Sequence, residues 1–159
     1  MGKYDKALDY YNILMKVEEK LGEKLVYNEM SNIFINIGLV YFQQEDYTKA
    51  IEYINKSATM QMDLDSTITL KTESYLLLSK KILGKEYDEI EIHSLIKESD
   101  NIDFEINLRL YELLEDKSYL KTAYTQIQEK ADSMEDKFKP KFLSYPIPKA
   151  IVEEWEKVK

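Results

Sequence analysis

Residues 34–54 read Phe34-Ile35-Asn36-Ile37-Gly38-Leu39-Val40-Tyr41-Phe42-Gln43-Gln44-Glu45-Asp46-Tyr47-Thr48-Lys49-Ala50-Ile51-Glu52-Tyr53-Ile54. Within this stretch Phe34, Ile37, Gly38 and Tyr41 fall at the spacing large-x₂-aliphatic-Gly-x₂-Tyr. Ala50 and Ile54 follow as Ala-x₃-large. Apolar residues at intervals of three and four mark amphipathic helices. Glycine inside a helix costs about 1 kcal/mol relative to alanine, so Gly38 needs a reason to be there.

That spacing resembles a tetratricopeptide (TPR) repeat, in which two antiparallel helices pack through small residues. The resemblance implies that the partner helix crosses where Gly38 and Ala50 leave no side chain in the way. It implies an all-α helical-hairpin solenoid, a right-handed superhelix of repeats closed by a C-terminal capping helix. Its function would be non-catalytic protein–protein interaction through a concave groove.

Composition agrees with a folded helical chain. The 159 residues suffice for one domain with a sizeable core, and 44% hydrophobic with 33% charged residues argues against disorder. There is no cysteine, so disulfides and thiolate metal sites are excluded. A formal net charge of −8 argues against nucleic acid as a partner, because phosphate binding needs a basic stripe. No apolar run approaches the ~18 residues of a membrane span, and the N-terminus has no signal-peptide core, so a cytoplasmic location is expected. Pro140, Pro146 and Pro148 are the only prolines, which leaves everything before them free to be helix.

Working outward, the pattern predicts one domain over 1–159. Residues 3–20 carry Tyr4, Ala7, Leu8, Tyr11, Leu14 and Met15 on one face. Tyr4, Ala7 and Tyr11 echo Tyr47, Ala50 and Ile54, so this reads as the outer helix of a repeat whose inner helix would lie upstream. An apolar face without that partner is expected to self-associate through Tyr4–Met15 or to fray. A full repeat is expected over 24–62, with helices at 24–44 and 47–62, and Asp65 or Ser66 capping the next helix. The distance from Ala7 to Ala50 resembles the longer TPR variant of kinesin light chains and many bacterial signalling proteins. A degenerate repeat is expected over 66–98, where Tyr75, Leu78, Ser79 and Ile82 repeat the inner spacing with serine as the small residue. Gly84 marks its turn, and Tyr87, Ile90, Ile92 and Leu95 its outer helix. A further repeat is expected over 102–137, with helices at 102–116 and 118–137, and a capping segment over 138–159.

The tail, with Lys141-Phe142-Leu143, a proline-bearing turn, then Ile147, Ile151 and Trp155, is similar to the end of a TPR group in large bacterial signalling proteins. Those proteins fuse it to nucleotide-cyclase, protein-kinase or ATPase modules. Pro148 is expected as the first residue of the last helix, whose apolar face would seal the array. Trp155 is read as core.

No constellation in the chain announces catalysis. His93 is the only histidine and has no nucleophile or second ligand with a signature around it. Asp63-x-Asp65-x-Thr67 lacks the glycine and bidentate glutamate of a calcium loop, where Ile68 and Ser74 stand instead. Asp132, Glu135 and Asp136 read as a solvated helix end. No cofactor, metal or catalytic residue is therefore expected.

The TPR resemblance implies that inner helices line the groove. On the second repeat this set is Asn32, Ile35, Asn36, Leu39 and Gln43. Asn36 matches the asparagine with which TPR grooves hold a bound peptide backbone. Further along, Glu73, Leu76, Lys80, Asn107 and Tyr111 continue the set. The basic clamp by which one TPR subclass grips the C-terminal carboxylate of heat-shock chaperones is missing, because Asn32, Ile35 and Asn36 stand at its positions. The expected partner is a neutral or basic peptide segment, or an attached domain in cis.

Overall fold

In a computed structural model, which describes residues 2–21, 25–63 and 68–159, every regular element is helical. The nine described helices are α1 (Gly2–Leu21), α2 (Leu25–Gln43), α3 (Tyr47–Asp63), α4 (Leu70–Ile82), α5 (Ile90–Glu98), α6 (Phe104–Leu114), α7 (Lys117–Asp132), α8 (Lys139–Leu143) and α9 (Pro146–Val158). The α2 helix compares with an expected span of 24–44 and α3 with one of 47–62. Asp65 and Ser66 lie outside the described residues. The cap of α4 is instead Thr69, whose side chain accepts from the Thr72 amide, so that helix starts four residues after the expected unit boundary at 66.

The chain divides within α5 into two compact units, residues 1–95 and 96–159. In the first, α2 and α3 form the central antiparallel hairpin, α1 packs on α2, and α4 packs on α3 and on α2. The hairpin closes on small residues, as the glycine argument required. Gly38 and Ala50 are buried, and a Cβ on Gly38 would stand 2.6 Å from Cγ1 of Ile54 and 3.3 Å from the Ala50 carbonyl. One heptad before Gly38 and one after Ala50 a second close contact occurs. The buried hydroxyls of Ser31 and Ser57 lie 3.0 Å apart, each donating to the other residue's carbonyl at 3.2 and 2.9 Å. Along the edge of the hairpin, Tyr53 stacks on Tyr41 with centroids 5.5 Å apart and touches Phe34. Phe42 meets Tyr47 and Tyr75 edge-on and so joins all three helices.

The turns have identifiable causes. At the end of α2 the amide of Asp46 bonds back to Tyr41 and that of Glu45 to Phe42, with Glu45 left-handed at φ 62°. This is the Schellman termination. The end of α4 repeats it with Gly84 at φ 64°. Asp46 then caps α3 by accepting from the Lys49 amide at 3.1 Å.

The degenerate region departs from expectation. Tyr75, Leu78 and Ser79 are buried, Ser79 donating to the Tyr75 carbonyl, but Ile82 is 47% exposed. Tyr87 precedes the helix rather than lying in it, because α5 begins only at Ile90. Of the expected outer-helix residues Ile92 is fully buried while Ile90 is 75% exposed, since positions two apart lie on nearly opposite faces of a helix.

In the second unit α6 and α7 form a hairpin, with α8 and α9 packed on α7. Its core joins Leu108, Leu120, Ala123, Ile127, Ala131, Phe142 and Ile151, so one residue or more from each of the four helices meets in it. Asp103 and Asp116 cap α6 and α7. The α7 helix stops at Asp132, five residues short of the expected end, because a turn begins at Ser133 to feed the single-turn α8. The last helix starts at Pro146 rather than Pro148. Both prolines fit, because amides in a first turn have no helical acceptor. Trp155 is half-buried and stacks on Tyr124 with centroids 5.3 Å apart, which is a packing role.

Candidate functional site

The α2 residues expected to face a groove divide by burial. Asn32 and Gln43 are exposed, Asn36 and Leu39 half-buried, and Ile35 is only 8% exposed. Positions 32, 36, 39 and 43 are one helical stripe, the spacing at which side chains share a face. Ile35 is committed to the core and drops out of that stripe as a contact residue. Asparagine has poor helix propensity because its amide competes with the backbone, yet two asparagines stand on this one accessible face.

On α4, eight consecutive residues from Thr72 to Ser79 are buried. Leu76, expected in the groove, is 6% exposed and does not line the cleft beside this helix. Leu77 takes its place. Glu73, Leu77 and Lys80, at i, i+4 and i+7, face Asp88, Ile90 and Glu91 across a cleft of about 380 Å³. Glu73 is 6% exposed. Burial pushes its carboxyl above the ordinary glutamate range and Glu91 adds to this, while Lys80 opposes it. The sequence pattern picked out Glu73 and Lys80 but had no means of finding Asp88 and Glu91, which a loop and a separate helix bring alongside.

In the second unit Asn107 and Tyr111 are both occupied internally. The Asn107 amide donates to the carbonyls of Ile102 and Asp103 and to Gln126, and the residue is 3% exposed. It ties the start of α6 to α7 and is not free for a peptide backbone. Tyr111 donates to Glu154 Oε1 at 3.1 Å across a second cleft of about 310 Å³. Burial and that carboxylate hold its phenol above the usual range. Glu154 is held low, chiefly by Lys157 at 2.8 Å. The sequence reading also passed over Arg109, the only arginine, which is 7% exposed and bonded to Glu112 at 2.6 Å.

His93 is exposed on α5. Asp132 and Asp136 share Lys139, and Glu135 pairs with Lys137. On α1 the exposed apolar residues are Tyr4, Tyr10 and Ile13, at 39, 60 and 60%. Ala7, Leu8, Tyr11 and Leu14 of the expected open face are half-buried, and the side chain of Met15 lies outside the described residues. Among the described residues no helix is long and apolar enough to cross a membrane, and no three metal-ligating side chains are grouped.

Comparison with known proteins agrees with the hairpin geometry. Over 67 residues the chain is 34% identical to the photosystem I assembly protein Ycf3 of Rippkaea orientalis (strain PCC 8801 / RF-1). That match covers 42% of this chain and 35% of the relative, so the chain spans about a third of that protein's length. No solved structure matches. Residues 31–61, which hold the Ser31–Ser57 and Gly38–Ile54 contacts, match the tetratricopeptide repeat family model, so the α2–α3 hairpin is a tetratricopeptide repeat.

Proposed function

We propose that this chain is a non-catalytic interaction module that binds a segment of another protein along the accessible face of α2. The observation that carries this is the stripe Asn32, Asn36, Leu39 and Gln43 on the inner helix of the repeat, two asparagines and a glutamine around one leucine. Amide side chains offer both donors and acceptors, which suits a peptide backbone whatever its sequence. The half-buried leucine supplies apolar area at the centre of the face. The matched relative is named for assembly work, and transient holding of a partner is the kind of task this face fits.

The test is a peptide array spanning diverse sequences, followed by solution affinity for the binders. Asn36→Ala with Gln43→Ala should leave the melting temperature nearly unchanged and weaken binding about tenfold, from the loss of one or two hydrogen bonds. Unchanged affinity in that double variant moves the binding surface elsewhere.

A second reading rests on the resemblance of the tail to fused bacterial signalling proteins, in a segment where Phe142, Ile151 and Trp155 pack into the core of the second unit. In it the module packs in cis on an attached cyclase, kinase or ATPase and regulates or assembles it. Sequencing the gene on both sides of the coding segment separates the two, since only the cis reading requires a catalytic module in the same polypeptide.

A further inference from the structure

The cleft between α4 and α5 has a feature that the packing of the helices does not explain. Glu73 is more than nine-tenths buried, yet among the described residues its carboxylate forms no hydrogen bond or ion pair. Lys80 lines the same cleft without closing an ion pair with it. A buried ionised carboxylate with no partner is costly, and such groups are ordinarily paired. Both oxygens retain contact with the cleft, because no fully enclosed side-chain oxygen in the described residues lacks a partner. Two further carboxylates, Asp88 and Glu91, stand on the facing wall, and both of these residues are exposed. Leu77 and Ile90 supply the apolar surface between them.

We propose that this cleft is an anchor pocket for an arginine side chain of the partner protein, with Glu73 receiving the guanidinium and Asp88 and Glu91 flanking it. The source of the guanidinium, a partner segment, rests on the interaction-module reading above. Charge complementarity selects a cation, and the local balance of three carboxylates against one lysine repeats in miniature the net charge of −8. Among cations the shape favours arginine. Its guanidinium is weakly hydrated and forks to a carboxylate through two parallel N–H bonds, and its methylene stem can lie on Leu77 and Ile90. A bare divalent ion is a poorer occupant, since the three carboxylates do not converge as a ligand set. Burial, and then Glu91, hold the Glu73 carboxyl above its ordinary range, the state expected of an acid awaiting a counter-ion.

The probe for the pocket itself is N-acetyl-arginine amide, followed by amide chemical shifts of the full chain. Saturable shifts confined to residues 73–80 and 88–91 are expected, weakened at least about tenfold in Glu73→Gln. Lys80→Met should tighten binding, because it removes the competing cation. The isosteric citrulline amide, which is neutral, should give no saturable shift. Absence of saturation with the arginine probe, or equal binding by Glu73→Gln, overturns the proposal. A peptide array then tests the source. Arginine-bearing peptides that lose affinity in Glu73→Gln support it. Peptides that bind without arginine and ignore Glu73→Gln overturn the pocket and leave the module reading standing. Binding of the arginine probe with no peptide bound by the array supports the pocket's chemistry and overturns the module reading.

Discussion

Gly38 sits so tightly beneath Ile54 that a single methyl group on its α-carbon would stand 2.6 Å from Ile54 Cγ1. The two backbone atoms next in line, the Ala50 carbonyl oxygen and the Ile54 amide nitrogen, are both at 3.3 Å. Cγ1 sits on a stiff β-branched stem and the other neighbours are backbone, so nothing can yield without moving α3. Gly38→Ala gains about 1 kcal/mol of helix propensity but overpacks the crossing by about 1–3 kcal/mol. A net loss of stability is expected. Combined with Ile54→Ala, the substitution should cost much less than the sum of the two single changes. Urea unfolding of the four proteins in the cycle measures this, and strict additivity would show that the two residues do not meet.

Gly84 is kept for a different reason. A Cβ there would meet nothing within 4 Å, but its φ of +64° is left-handed. The same Schellman turn at the end of α2 is built with Glu45 at φ 62°. Left-handed backbone costs an ordinary L-residue about 1–2 kcal/mol. Gly84→Ala is therefore expected to destabilise by about 1 kcal/mol through the backbone alone. Glu45→Gly should stabilise by about half that, after glycine's extra freedom in the unfolded chain is subtracted. Melting temperatures that move in opposite directions bear this out. A drop in both locates the role of Glu45 in its side chain.

The fold was legible where one residue type had one physical reason. A glycine among helix formers pointed to a close crossing, and its partner Ala50 lay at the expected distance. The Ser31–Ser57 contact was equally present as a small-residue pattern, at seven residues before Gly38 and seven after Ala50, but serine is common on helix surfaces and its burial does not show in one sequence. The candidate site was legible only in part. Side chains on one continuous helix, such as Asn36 and Gln43, follow from the helical period. Asp88 and Glu91 depend on how the loop after Gly84 returns, which local periodicity does not encode. Asn107 was misplaced because a helical asparagine looks the same whether its amide faces a ligand or, as here, Gln126.

The serine pair makes its own prediction. With each hydroxyl donating to the opposite carbonyl in a buried crossing, Ser31→Ala and Ser57→Ala should each cost about 1 kcal/mol. The double change should cost less than the sum, by about 0.5 kcal/mol or more, because the 3.0 Å contact between the two hydroxyls is lost with either substitution. Equilibrium unfolding of the cycle checks this. Additive losses would mean the hydroxyls act separately.

Glu73 makes the stability of the chain depend on pH in a way opposite to its capping aspartates. Its carboxyl is raised above 4.5, first by burial and then by Glu91, with Lys80 pulling the other way. The folded state therefore holds this proton more tightly than the unfolded state does. The resulting stabilisation is complete below the unfolded value near 4.5 and is lost as pH rises through the higher folded value. Above that folded value the ionised carboxylate weighs against folding. Asp46 and Asp116, held low by accepting amide hydrogens from Lys49 and Ser118, act with the reverse sign, losing their contribution as pH falls below 3.8. Comparing Glu73→Gln with the parent protein cancels those shared terms. The variant should be the more stable at neutral pH, and its advantage should vanish as the pH is lowered through 4.5. Glu91→Gln should shift the parent's transition to lower pH, and Lys80→Met to higher. Denaturant midpoints measured across this range decide the matter, and a Glu73→Gln difference that stays constant with pH would place that carboxylate in water rather than in the cleft.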